Sequence, residues 1–106
     1  MQTFLPYADF VKTAKCLDYR RLGKQRVEAF QILNILEGKT TKAGWKHHPA
    51  VLMWEEYENA LKKYFNDISS EWKSRGYKHN MGMYDITSRV IYPEWLGNND
   101  FHIAHQ

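Results

Sequence analysis

Apolar positions recur at three- and four-residue steps along two stretches of the chain, and that spacing predicts two principal amphipathic helices. In the first, residues 17–38 (LDYRRLGKQRVEAFQILNILEG), Leu22, Ala29, Phe30, Leu33 and Leu36 fall on or near one face. Asp18 stands where an N-cap is needed, and Gly38 supplies a stop. In the second, Pro49 suits a first helical turn. Val51, Trp54, Tyr57, Leu61, Tyr64, Phe65, Ile68 and Trp72 then trace an apolar stripe to the SRG stop at Ser74–Gly76. This stripe predicts one long helix, with Asn66–Asp67 as the place for a bend.

The remaining segments are shorter or irregular. Residues 1–8 read as a lead-in that docks Phe4 and Leu5 on the core, and Asp9 caps a short helix running to about Lys15. Residues 39–48 (KTTKAGWKHH) form a polar connection. After Gly76 the periodicity fades: YKHNMGMYD reads as loop, and residues 86–92 as a short helix or an extended segment limited by Pro93. WLGNNDFHIAHQ reads as a turn and a final helical turn. There are no repeats and no multi-strand pattern. The expected fold is all-α: a compact single domain over residues 1–106, with two main amphipathic helices, shorter helices and irregular termini.

Composition adds two points. Four Trp and seven Tyr are many for 106 residues, so either the core is built of large rings or some rings are exposed for stacking. The net charge of +3 conceals an asymmetry: residues 1–50 carry nine Lys/Arg against four Asp/Glu, and residues 51–106 carry six against eight. The first half is therefore +5 and the second −2, which favours one anion-facing surface. Cys16 is the only cysteine, so an internal disulfide is excluded. No apolar run is long enough for a membrane span, and MQTFLPYADF lacks the pattern of a secretion signal. A soluble, cytoplasmic protein that does not engage membranes is expected.

Candidate chemistry concentrates in the first long helix. Arg20, Arg21, Lys24 and Arg26 crowd its start, and Glu28 follows within the same positive segment. Basic side chains on one helix suit a polyanion, and a sheltered carboxylate among them suits a general base or an electrostatic stabiliser. An ordinary ion pair between Glu28 and Lys24, four residues earlier, is the structural alternative. Gly23 weakens the helix unless another segment approaches it closely. Glu55, Glu56 and Glu58 read as a solvated face opposite the aromatic stripe. The histidines at 47, 48, 102 and 105 lack a zinc-like spacing, so no metal or cofactor is expected; a hydrogen-bonding or phosphate-contacting role suits His48 better. The N-terminal amine has a reference pKa of about 7.7, so much of it is an unprotonated nucleophile near neutrality.

At Leu22–Glu28 the sequence resembles the pyrimidine-dimer DNA glycosylase/AP lyase family. The likeness extends to EGK at Glu37–Lys39, GWKHHPAVLMW at Gly44–Trp54 and WKSRGY at Trp72–Tyr77, with weaker matches in PYADF and WLGNNDFHIAHQ. It covers residues 17–80. The resemblance implies a compact all-α enzyme of base excision repair that acts on double-stranded DNA. It implies that the N-terminal amine, here on Met1, attacks the sugar C1′, and that the resulting imine undergoes β-elimination, nicking the strand. It also implies that Glu28 stabilises charge and moves protons, while Arg20, Arg21, Lys24, Arg26, Lys46 and His48 face DNA. In this chain Val27 replaces the arginine that precedes the family's glutamate, the lead-in is longer, and a counterpart of the family's basic, tyrosine-rich tail is not expected.

The expected activity is thus a DNA glycosylase with AP lyase activity on damaged or modified DNA, working as a monomer. Two alternatives remain open at this point: a DNA-binding accessory protein that keeps the fold without the chemistry, and a protein-interaction module using the aromatic stripe.

Overall fold

The computed structural model describes residues 3, 5–37, 49–78, 82–84, 86, 90–97 and 102. Four helices occur among them: α1 (Phe10–Cys16), α2 (Tyr19–Leu36), α3 (Pro49–Trp54) and α4 (Glu58–Ser74). No strand occurs among the described residues. The protein is all-α, as its apolar periodicity predicts.

Both early helices start where an aspartate can accept from bare backbone N–H groups. Asp9 Oδ1 accepts from Val11 N at 2.9 Å and from Lys12 N at 3.1 Å, and Asp18 Oδ1 accepts from Arg21 N at 2.8 Å. Helix α2 ends at Leu36, where Glu37 N bonds back to Leu33 O at 2.9 Å. Gly38, read as the stop, lies outside the described residues.

The apolar stripe over residues 49–74 belongs to two helices, not one. The break falls at Glu55–Tyr57, where Glu56 takes a left-handed φ of 70° and Tyr57 N closes a turn on Trp54 O at 2.8 Å. In one straight helix, Trp54 and Tyr64 would be separated by a rise of about 15 Å. The break brings their ring centroids to 6.2 Å. Core formation around Trp54 thus overrides helix continuity, and periodicity alone does not reveal it. No break occurs at Asn66–Asp67, because both side chains are engaged away from the helix backbone. Asn66 Oδ1 accepts from Tyr84 N at 2.9 Å while its Nδ2 donates to Tyr84 O at 2.8 Å, and Asp67 pairs with Lys63 at 2.7 Å.

The core lies between α2 and α4, with α1 and α3 closing it. Leu22, Ala29, Ile32, Leu33, Trp54, Leu61, Tyr64, Phe65 and Ile68 are fully buried. Some aromatic edges meet faces: Phe10 approaches Tyr64 at 5.5 Å and 75°, and Trp95 approaches Trp54 at 5.0 Å and 85°. Such contacts add to the burial energy of each ring.

The irregular segments are tied to the helices by polar contacts. Trp54 Nε1 donates to Thr3 Oγ1 at 3.2 Å, and Leu5 is fully buried, as expected of the lead-in; Phe4 lies outside the described residues. Arg75 Nη2 donates to Ala14 O and Lys15 O, both at 3.3 Å, satisfying carbonyls at the end of α1. Buried His102 is held at both ring nitrogens: Nε2 accepts from Gly97 N at 2.8 Å, which leaves Nδ1 protonated to donate to Leu5 O at 2.6 Å. It therefore has no nitrogen left for a metal.

Candidate active site

Helix α2 changes character at its midpoint. Its second half buries Ala29, Ile32, Leu33 and Ile35, whereas Tyr19, Arg20, Arg21 and Lys24 of its first half are exposed. Glu28 sits at this boundary, with its side chain only 12% exposed.

Among the described residues, Gln25 and Lys24 meet the carboxylate. Gln25 Nε2 donates to Glu28 Oε2 at 3.2 Å, and Lys24 Nζ lies 3.9 Å from Oε1. Gln25 is itself fixed: Tyr64 OH, from the core side of α4, donates to Gln25 Oε1 at 2.8 Å. Both Gln25 and Tyr64 are fully buried. A continuous polar chain therefore runs from α4 through Gln25 to the partly sheltered Glu28. Each member has a definite role, since the amide accepts on one side and donates on the other.

The sequence marks Glu28 as an acid within a basic segment and Lys24 as its neighbour, but the support that Gln25 and Tyr64 give it from the core is not evident there. Gln25 carried a usable signal, because it falls three residues after Leu22 and four before Ala29, on the apolar face. A polar side chain there requires an internal partner. Tyr64 carried no separate signal, since its ring satisfies the apolar stripe and the hydroxyl's destination depends on tertiary packing.

The basic residues divide into two groups. Arg20, Arg21 and Lys24 are exposed. Arg21 lies 3.9 Å from Asp18, and Arg20 Nε donates to Tyr19 OH at 3.1 Å. Arg26 instead turns toward α4, with its guanidinium 4.8 Å from the centroid of Trp72. Burial lowers its pKa from the ordinary arginine value, yet a guanidinium remains cationic at physiological pH. Gly23 permits this packing. A Cβ at that position would lie 2.8 Å from Trp72 Cζ3 and 2.9 Å from Cη2, so the close approach that offsets the glycine is made by Trp72.

Met1, Lys46 and His48 lie outside the described residues. Thr3 is buried against Trp54, whose ring packs on Tyr64. Trp54 thus stands between the described start of the chain and Tyr64, which holds Gln25. A separate cavity of about 390 Å³ opens between α1, α4 and residues 92–96, lined by Ala8, Asp9, Phe10, Lys63, Tyr92 and Leu96. Glu28 does not line it. Among the described residues no group of His, Cys, Asp or Glu could hold a metal ion. No described helix is long and apolar enough to cross a membrane.

A family model described as pyrimidine dimer DNA glycosylase matches residues 1–85. No curated protein and no solved structure matches the chain.

Proposed function

The chain belongs to the pyrimidine dimer DNA glycosylase family, and from that premise we propose that it excises a damaged or modified base from duplex DNA and cleaves the resulting abasic site. The nucleophile is the amine of Met1, and Glu28 is the catalytic carboxylate. Arg20, Arg21 and Lys24 hold backbone phosphates, and Arg26, Lys46 and His48 contribute further contacts to DNA.

The reaction needs no cofactor. The amine nitrogen attacks C1′ of the deoxyribose, and the bond from C1′ to the base breaks with its electron pair moving to the base, which takes up a proton. The nitrogen gives up one proton, and the C1′–O4′ bond opens with its pair moving to O4′, which is protonated. A protonated imine then joins the nitrogen to C1′. Removal of a proton from C2′ expels the 3′-phosphate by β-elimination, and water hydrolyses the imine to release the enzyme. The Glu28 carboxylate faces the developing positive charge and serves as acceptor for the C2′ proton.

The observation that carries this reading is the Tyr64–Gln25–Glu28 chain, which holds one carboxylate in a defined orientation behind an exposed basic turn. A carboxylate serving only as a partner for Lys24 has no need of a buried amide and phenol to orient it. The position of Thr3 supports the role of Met1. The two residues between Thr3 and the amine extend over at most about 7 Å, and Thr3 already packs on Trp54, beside Tyr64.

The test is product analysis on end-labelled duplexes that contain one pyrimidine dimer or one abasic site. The expected products are a free or strand-attached excised base and a nick bearing a 3′ unsaturated aldehyde and a 5′ phosphate. Glu28→Gln should bind both duplexes and nick neither. Salt-sensitive binding by wild-type protein with no cleavage of either duplex would replace this reading with that of a non-catalytic DNA-binding protein.

A further inference from the structure

We propose that Tyr19 and Tyr77, backed by Trp72, form a stacking platform for a single nucleobase that has left its pair. This deepens the reading of DNA as substrate and rests on it, by assigning the surface that receives an unpaired base.

Three rings form a ladder where the start of α2 meets the end of α4. Trp72 and Tyr77 stack with centroids 4.4 Å apart and planes 30° apart, and Tyr77 faces Tyr19 at 6.3 Å and 30°. Tyr19, Gly23 and Arg26 occur at four- and three-residue steps, so they share one face of α2. Gly23 admits the Trp72 ring, and Arg26 lies over that ring. The turn after α4 carries Tyr77 back onto Trp72. Gly76 takes a φ of 89°, Tyr77 N donates to Trp72 O at 3.3 Å, and Trp72 Nε1 donates to Lys78 O at 2.6 Å. The ladder is thus fixed by the backbone before any ligand arrives.

Packing of α2 on α4 accounts for Trp72 but not for the other two rings. Tyr19 is 51% exposed and Tyr77 is 40% exposed, so both present ring surface to solvent. The surroundings are cationic. Arg20, Arg21, Lys24, Lys73 and Lys78 are all exposed near these helix ends, and the one carboxylate at the α2 cap, Asp18, is engaged by Arg21. Aromatic faces framed by lysine and arginine fit a base attached to a phosphate backbone: the rings stack on the base whatever its identity, and the cations hold the flanking phosphates. An apolar protein segment would leave this charge without a counterpart.

The test compares two duplexes of otherwise identical sequence, one fully paired and one with a single bulged 2-aminopurine. Binding is followed by anisotropy and base stacking by 2-aminopurine emission, for wild type, Tyr77→Leu, Tyr77→Phe and Tyr19→Leu, each checked by circular dichroism. Wild type should bind the bulged duplex more tightly and quench the 2-aminopurine. Tyr77→Leu and Tyr19→Leu should each weaken binding to the bulged duplex by about 5- to 150-fold and relieve the quenching, with less than about twofold change on paired DNA. Tyr77→Phe, which keeps the ring, should behave as wild type. Because the two leucine variants lie on different segments, loss of fold in one leaves the other to decide. Equal weakening on both duplexes, or unchanged binding and quenching on the bulged one, overturns the platform. Failure of wild type to bind either duplex overturns the platform and the DNA reading together. Selective stacking without any cleavage leaves the platform standing and sinks only the chemistry.

Discussion

Lys63 and Arg75, on and just after α4, close on carboxylates four residues away, whereas Arg20, Arg21 and Lys24 in the first half of α2 point outward. Lys63 meets Asp67 at 2.7 Å and Arg75 meets Glu71 at 3.6 Å, each a pair at four-residue spacing with partly covered partners. The exposed cations of α2 make looser contacts: Arg21 and Lys24 each lie 3.9 Å from a carboxylate, with side chains 66% and 70% exposed. Arg20 has no carboxylate within ion-pair distance among the described residues and donates to a tyrosine hydroxyl instead. Charges of the first kind support a helix. Those of the second kind contribute little to stability and are available to an external anion. Both helices bury one apolar face, so a hydropathy profile does not separate them; the exposure of the paired cations does.

The comparison can be broken most forcefully at Glu28. Glu28→Gln keeps the shape and the contact with Gln25 but removes the charge, and strand cleavage should fall by about 100- to 10,000-fold with DNA affinity retained. Cleavage within about threefold of wild type would place Glu28 among the ordinary helix pairs.

Next in size is Tyr64→Phe, which leaves the Gln25 carbonyl buried without its donor. Stability measured by urea unfolding should drop by about 1–3 kcal/mol. Cleavage should fall through kcat, with KM little changed, because the carboxylate loses its orientation while the phosphate-binding cations are untouched. A loss confined to KM would contradict a positioning role.

Gly23→Ala should act on the α2–α4 junction. The added methyl gains about 1 kcal/mol of helix propensity but meets Trp72, whose ring is held by Tyr77, Arg26 and the carbonyl of Lys78. Overpacking costs about 1–3 kcal/mol, so the net change should be a small loss of stability, accompanied by altered Trp72 fluorescence. A rise in melting temperature with unchanged fluorescence would show that the ring yields freely.

The smallest effect concerns the paired helix. The hydrogen bond to Asp67 raises the Lys63 pKa above its ordinary value of 10.5, against an opposing effect of burial. A raised folded-state pKa means that the pair's contribution is fully present below pH 10.5 and is lost as pH climbs through the raised value. Melting temperature followed from neutrality into that alkaline range should show this loss in wild type. Lys63→Met should flatten that part of the profile while leaving DNA binding unchanged. An unaltered alkaline limb would remove the pair from the account.

The sequence made the fold class legible because helical periodicity is a local property. The caps at Asp9 and Asp18 and the helix start at Pro49 were readable for the same reason. The break at Glu55–Tyr57 was not, because Val51 and Trp54 continue the stripe of α4 and only the meeting of Trp54 with Tyr64 exposes the turn. Among site residues, Glu28 was readable as an acid within a basic segment, and Gln25 was there to be read as a polar residue on an apolar face. The Tyr64 hydroxyl and the Trp72–Tyr77–Tyr19 ladder depend on partners 39, 49 and 58 positions away in the chain, as Tyr64 less Gln25, Trp72 less Gly23 and Tyr77 less Tyr19 give. One-dimensional spacing carries no trace of such contacts.

The most direct measurement is borohydride trapping on an abasic-site duplex, followed by mass spectrometry of the protease-digested adduct. The expected result is a reduced, DNA-linked peptide whose modification sits on the α-amine of Met1, abolished when that amine is blocked beforehand. An adduct on a lysine side chain, or none from folded protein that binds the duplex, would contradict it.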